Sequence, residues 1–117
     1  MSAPLADDGI EVTPEHTAAV LENGSAQVID VREDYEREAG HVPGTTHIEL
    51  AQLSQKAEAI DRDRPVIFYC RVGSRSLMAA QAFRRAGFDA RSMAGGLQQW
   101  ADEGRPLEPE GGRVADH

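Results

Sequence analysis

One residue in this chain combines the chemistry of a nucleophile with a setting that would activate it. Cys70 is the single cysteine. It follows the apolar run Val66-Ile67-Phe68-Tyr69 and precedes Arg71-Val72-Gly73-Ser74-Arg75-Ser76. The run reads as a central strand buried on both faces. The residues after the loop read as a helix reaching to about Ala86. Cys70 therefore stands at the carboxyl end of a strand, where open α/β sheets bind their ligands. It also stands just before a helix N-terminus, whose unpaired N–H groups attract anions. Gly73 and Ser74 allow the loop to curl so that its own N–H groups face inward. Arg71 and Arg75 bracket it with full positive charges. Each of these favours thiolate over thiol. The expected chemistry is nucleophilic attack by an ionised sulfur held in an anion-binding cradle. The competing reading is a structural core cysteine, the common fate of a free Cys. Flanks of Arg, Gly and Ser argue against it.

No second chemical centre competes. His16, His41, His47 and His117 are scattered without metal-ligand spacing, so no metal site is expected. No Ser-His-Asp pattern, phosphate-binding loop or dinucleotide fingerprint appears, and no cofactor is expected. A Cys70–His41 pair is conceivable. His41 lies inside a Gly/Pro turn, however, and reads better as a structural hydrogen-bonder. Asp30 and Arg32 end a neighbouring strand. They either touch the loop or form a structural salt bridge, and count as support only. Trp100 reads as a core anchor or as a pocket wall.

The elements that must position Cys70 can be read along the chain. Ile10 to Val12 is a short strand. Thr13-Pro14 is a helix start, a capping hydroxyl followed by proline at the first helical position. Gly24 closes that helix. Val28 to Val31 is a strand, Glu33 to Ala39 a short helix, and Gly40 to Gly44 a turn. His47-Ile48 is a brief strand, and Leu50 to Ile60 is expected as a second amphipathic helix. The helix after Cys70 has an apparent inner stripe of Ala79, Ala82, Phe83 and Ala86. Ala90 to Met93 is the last strand, and Gly95-Gly96 leads into a short helix bearing Leu97 and Trp100. Strands alternating with helices imply a mainly parallel sheet in an α/β domain.

The chain has 117 residues, 40% hydrophobic and 27% charged. That suits one domain with a real core. The expected division is a loose segment at 1–9, a domain at 10–107 and a loose tail at 108–117. Net charge is −8, which argues against general nucleic-acid binding. Between Arg62 and Arg91, however, seven arginines face two aspartates, a local +5 within a remainder of −13. This is a solvated helix face for Arg84 and Arg85, or a local site for a small anion. No run approaches a membrane span, and Met1 to Asp8 shows no secretion signal. A cytoplasmic location is expected.

Four motifs in order resemble the rhodanese family of sulfurtransferases, from about Ile10 to Leu107. They are Asp30-Val31-Arg32-Glu33, Gly40-His41-Val42-Pro43-Gly44-Thr45, Cys70-Arg71-Val72-Gly73-Ser74-Arg75-Ser76, and Gly95-Gly96 with Trp100. Two positions depart from the pattern. Arg37 stands where an aromatic residue often precedes the Gly-His turn, with Tyr35 nearby, and Thr45 replaces a small alanine.

The resemblance implies a five-stranded, mainly parallel sheet with helices on both faces. It puts the nucleophile on Cys70 and a persulfide cradle on the N–H groups of Arg71, Val72, Gly73, Ser74 and Arg75. Anion recognition falls on Arg71 and Arg75, with Ser76 in support. It also implies a small anionic sulfur donor such as thiosulfate and a thiol or cyanide acceptor, with an acceptor protein open. Cys70 to Arg75 spans six residues, one fewer than in the related phosphatases and arsenate reductases. The smaller ring suits sulfur better than phosphoryl. A non-catalytic binding module and a thiol redox sensor are the alternatives from other classes.

Overall fold

A computed structural model describes residues 9–117. The expected loose segment at 1–9 lies, Gly9 apart, outside the described residues. Five strands form one sheet: β1 (Glu11–Val12), β2 (Gln27–Asp30), β3 (Thr46–His47), β4 (Val66–Tyr69) and β5 (Ala90–Met93). Their order is β1-β5-β4-β2-β3, and all four pairings are parallel. The α/β class with a five-stranded parallel sheet is therefore as expected. β4 lies at the centre, which explains its continuous apolar run: Val66 to Tyr69 are all buried.

Among the described residues four α-helices cover the sheet: α1 (Pro14–Asn23), α2 (Asp34–Ala39), α3 (Ser74–Arg85) and α4 (Gly96–Asp102). β4 feeds alternate side chains to two cores, as strand geometry requires. Val66, Phe68 and Cys70 join Ala79, Ala80 and Phe83 of α3 on one face. Ile67 and Tyr69 join Val20 of α1 and Leu97 and Trp100 of α4 on the other. α1 begins as its sequence says. The Thr13 hydroxyl accepts the His16 N–H at 3.0 Å, and Gly24 ends the helix in the left-handed region.

Two expectations fail. Leu50 to Ile60 is not one helix but two 3₁₀ turns, Leu50–Gln52 and Ala57–Ala59. Only Leu53 and Ile60 of this stretch are buried, too little to hold a regular apolar face. The carboxylate of Glu49, placed to cap the first turn, instead accepts the Asp34 N–H of α2 at 3.0 Å. The inner stripe of α3 is also rotated. Ser76, Ala79, Ala80 and Phe83 are buried, while Ala82 and Ala86 face solvent. Alanine carries little sidedness signal, and the polar Ser76 hid the true start of the stripe.

Residues 108–117, read as a loose tail, lie back against α2 and the turn after it. Glu108 and His41 exchange backbone hydrogen bonds, the Arg113 N–H reaches the Ala39 carbonyl at 2.8 Å, and Ala115 is buried. Among the described residues no helix is long and apolar enough to cross a membrane.

Candidate active site

The loop after β4 holds the site. Gly73 is the N-cap of α3, at φ +110°, which favours glycine over any residue with a Cβ. A glycine cap has no side chain to accept the third N–H of the helix. Here Cys70 supplies the acceptor. Its Sγ receives the Ser76 N–H at 3.4 Å and the Gly73 N–H at 3.1 Å. The sulfur therefore does the work of a helix cap, at the positive end of a helix dipole. Of the expected cradle residues Arg71 to Arg75, Gly73 reaches Sγ directly. Ser76, placed in support from the sequence, supplies the second N–H. Ser74 and Arg75 are the first two residues of α3, so their N–H groups have no acceptor within the helix. Val72 stands at the loop's exposed rim.

Cys70 itself is fully buried. Burial alone would suit a structural cysteine. The two N–H groups aimed at its sulfur distinguish it from one, since an apolar thiol needs no such donors.

The loop keeps its shape because the opposite side of its backbone is tied down. The Leu97 N–H of α4 donates to the Cys70 carbonyl at 2.8 Å, and the Gln98 N–H donates to the Arg71 carbonyl at 2.9 Å. Both carbonyls are thus held at the α4 N-terminus. The approach is so close that a Cβ on Gly96 would lie 2.5 Å from the Arg71 oxygen and 2.6 Å from the Cys70 oxygen. That contact is the physical meaning of the Gly95-Gly96 pair.

The two arginines part company. The sequence reading gives both to the donor anion. In the structure the Arg75 fork is already occupied: Nη1 and Nη2 donate to the two carboxylate oxygens of Glu36 at 2.9 and 3.0 Å. Glu36 is fully buried in α2. Its Oε1 also accepts the Glu33 N–H, closing a capping box. Burial pushes the Glu36 carboxyl up, but the Arg75 fork and the Glu33 N–H outweigh it and hold the carboxyl below its ordinary range. Stability from this pair is present above the unfolded glutamate value of about 4.3 and is lost as pH falls through the lower folded value. Thermal melts from neutrality down to about pH 3 should therefore show a fall beginning near that value. Glu36→Gln should shrink that fall; an acid limb identical to wild type would remove the pair from the balance.

Arg71 is different. Its side chain is partly exposed, and its Nε is buried with no hydrogen-bond partner among the described residues. An unpaired donor of that kind costs about 1–3 kcal/mol until an acceptor arrives. The hollow on the Arg75 side is lined by Val31, Glu33, Glu49, Leu50, Ala51 and Arg75, and its two glutamates disfavour an anion there.

Asp30 and Arg32 pair with each other rather than with the loop. Both are fully buried. Arg32 forks onto Asp30 through Nε at 2.8 Å and Nη2 at 2.7 Å, and Nη2 also donates to the Gly40 carbonyl at 2.8 Å. The pair braces β2 against the Gly-His turn, and among the described residues none of its side-chain hydrogen bonds reaches the Cys70 loop. His41 donates Nδ1–H to the Arg37 carbonyl at 3.1 Å and is a structural residue. Trp100 is buried with its indole N–H on the Pro106 carbonyl at 2.7 Å, a core anchor.

The two departures from the family pattern meet each other. Arg37 donates Nη1 to Thr45 Oγ1 at 2.9 Å and Nη2 to the Thr45 carbonyl at 2.7 Å. Thr45 Oγ1 donates to the Val42 carbonyl at 2.7 Å and lies 3.1 Å from the Tyr69 hydroxyl. Burial drives the Tyr69 hydroxyl far above its ordinary range, so it stays protonated and can donate to Thr45 Oγ1. The arginine and the threonine thus hydrogen-bond to each other.

Comparison with known proteins agrees with this geometry. The model of the rhodanese-like domain matches residues 13–103. The chain belongs to the rhodanese-like family. It is 34% identical over 101 residues to YtwF of Bacillus subtilis, which carries a provisional sulfurtransferase name; the match covers 83% of this chain and 98% of that protein. It is 34% identical over 97 residues to thiosulfate sulfurtransferase GlpE of Pseudomonas aeruginosa, covering 82% and 87% respectively. A crystal structure of a rhodanese-related protein from Thermoplasma volcanium superposes with a TM-score of 0.77 at 26% identity, covering 83% of this chain and 95% of that one.

The sequence reading of this rhodanese domain missed Glu36 as the partner of Arg75. Glu33 to Ala39 read only as a short helix, with no role for Glu36. No local pattern joins it to an arginine 39 residues further on.

Proposed function

We propose that the protein is a sulfurtransferase that carries sulfane sulfur as a persulfide on Cys70. The observation that carries this reading is the placing of Cys70 Sγ as the acceptor for two N–H groups at the start of α3. The names of the relatives support it. The ionised sulfur attacks the outer sulfur of a donor such as thiosulfate. A new S–S bond forms, the old one breaks, and sulfite departs with its electron pair. The terminal sulfur of the persulfide then lies above the loop, near the free N–H groups of the first helical turn. A thiophile takes it in the second half-reaction: cyanide leaves as thiocyanate, or a thiol leaves as a persulfide, and the Cys70 thiolate returns. Two half-reactions through a covalent intermediate give ping-pong kinetics. The attacking form is the thiolate and the leaving group is an anion, so the step as written calls on no general base. The acceptor is a small molecule or a thiol on a protein, and a reducing cytoplasm suits a single unpaired cysteine.

Within this reading Arg71 holds the donor anion, because its Nε is a buried donor with no partner among the described residues. Arg75 acts through Glu36 to hold the loop. Arg71→Ala should cost about 1–3 kcal/mol in kcat/KM for thiosulfate, that is, roughly five- to 150-fold. Alkylation of Cys70 by uncharged iodoacetamide should change far less. Equal losses in both reactions would remove Arg71 from anion recognition.

A further inference from the structure

Behind the sulfur stand two buried serine hydroxyls. Ser76 Oγ lies 3.5 Å from Cys70 Sγ and 2.7 Å from Ser92 Oγ of β5. Both serines are fully buried. The direction of the hydrogens follows from what each oxygen can reach. Ser92 Oγ has one hydrogen-bonding neighbour among the described residues, Ser76 Oγ. If Ser76 donated to Ser92, the Ser92 hydrogen would be buried without an acceptor, at a cost comparable to a lost hydrogen bond. Ser92 therefore donates and Ser76 accepts. The hydrogen of Ser76 is then left with two choices. One is the Gly73 carbonyl at 3.2 Å, which already accepts the Leu77 N–H at 3.0 Å. The other is Cys70 Sγ. An ionised sulfur is the stronger acceptor.

We infer that Ser92 is a positioning residue for sulfur transfer, its hydroxyl fixing the Ser76 hydroxyl so that Ser76 donates to the Cys70 thiolate. The inference rests on Cys70 being the nucleophile. It adds a third donor to the two N–H groups and polarises it through a chain of hydroxyls. A strand residue 22 positions beyond the cysteine thus tunes how much of it is ionised at a given pH.

The test is the rate of Cys70 alkylation by iodoacetamide, followed from about pH 5 to pH 10. Cys70 is the single cysteine, so the signal has one source. Ser92→Ala should move the profile to higher pH, slowing alkylation near pH 6.5 by roughly two- to fivefold and leaving the rate near pH 10 little changed. In a Ser76→Ala background the same substitution should add nothing. Ser92→Thr and Ser92→Val have nearly the same shape and differ by one hydroxyl. Thr should keep the wild-type profile and Val should show the shift, a comparison that stands if the alanine variant folds poorly. A Ser92→Val profile superimposing on that of Ser92→Thr, or an equal Ser92→Ala shift with and without Ser76, would overturn the inference. Alkylation requires no sulfur donor, so this failure is distinct from a failure of wild type to form a persulfide.

Discussion

Cys70→Ser is expected to abolish sulfur transfer, lowering turnover with thiosulfate and cyanide by at least about a thousandfold, while the fold survives. The two halves of this prediction have separate causes. A serine hydroxyl is not ionised at neutral pH and forms no persulfide, so the covalent route is closed. The same hydroxyl can still accept the Gly73 and Ser76 N–H groups that Sγ accepts now. Serine is moreover a favoured acceptor at helix starts. The stability change should stay within about 1 kcal/mol, a few degrees in Tm for a domain of this size. Steady-state rates and thermal melts on the two proteins decide it. Residual turnover within tenfold of wild type would end the covalent mechanism. A collapse of the fold would instead recast Cys70 as a structural residue.

Gly96→Ala should be heavily damaging for a single added methyl group. The added carbon would meet backbone oxygens of Cys70 and Arg71 at 2.5–2.6 Å, and neither is the end of a flexible side chain. The position also sits at φ +59°. Left-handed backbone costs a non-glycine residue roughly 1–2 kcal/mol, and forced packing adds about 1–3 kcal/mol. A loss of about 2–5 kcal/mol is therefore expected, against a total of roughly 5–15 kcal/mol for a domain. If the chain absorbs the clash by moving, the Leu97 and Gln98 N–H groups leave the loop carbonyls and the cradle opens. Melting should fall by about 10 °C or more, and the rate per folded molecule should fall with it. A Tm within about 2 °C of wild type and an unchanged rate would show that the loop is not clamped there.

These two positions also mark how far the sequence could be read. Local signals were enough to place Cys70: an apolar run, a Gly-Ser loop and a helical stretch are all neighbours in the chain. Thr13, Pro14 and Gly24 marked α1 for the same reason. Gly95-Gly96 was visible as a motif, but its purpose was not, because the oxygens it approaches belong to residues about 25 positions earlier. Glu36 and Ser92 were hidden more completely. Each acts through a contact that exists only once β4 lies between β2 and β5. The mistaken helix at 50–60 shows the converse. Its apolar spacing was helical, but what decided the outcome was how little of it the core could bury and where the Glu49 carboxylate went. Arg75 teaches the same lesson at the site itself. A basic residue next to a nucleophile suggests an anion; only the fold reveals that a buried carboxylate has taken the place.

The most direct test of the account is the intact mass of the wild-type protein and of Cys70→Ala after incubation with thiosulfate, followed by cyanide. Wild type should gain one sulfur atom and lose it when cyanide is added, and Cys70→Ala should gain none. No gain with thiosulfate, polysulfide or glutathione persulfide, or an equal gain in Cys70→Ala, would contradict a Cys70 persulfide carrier.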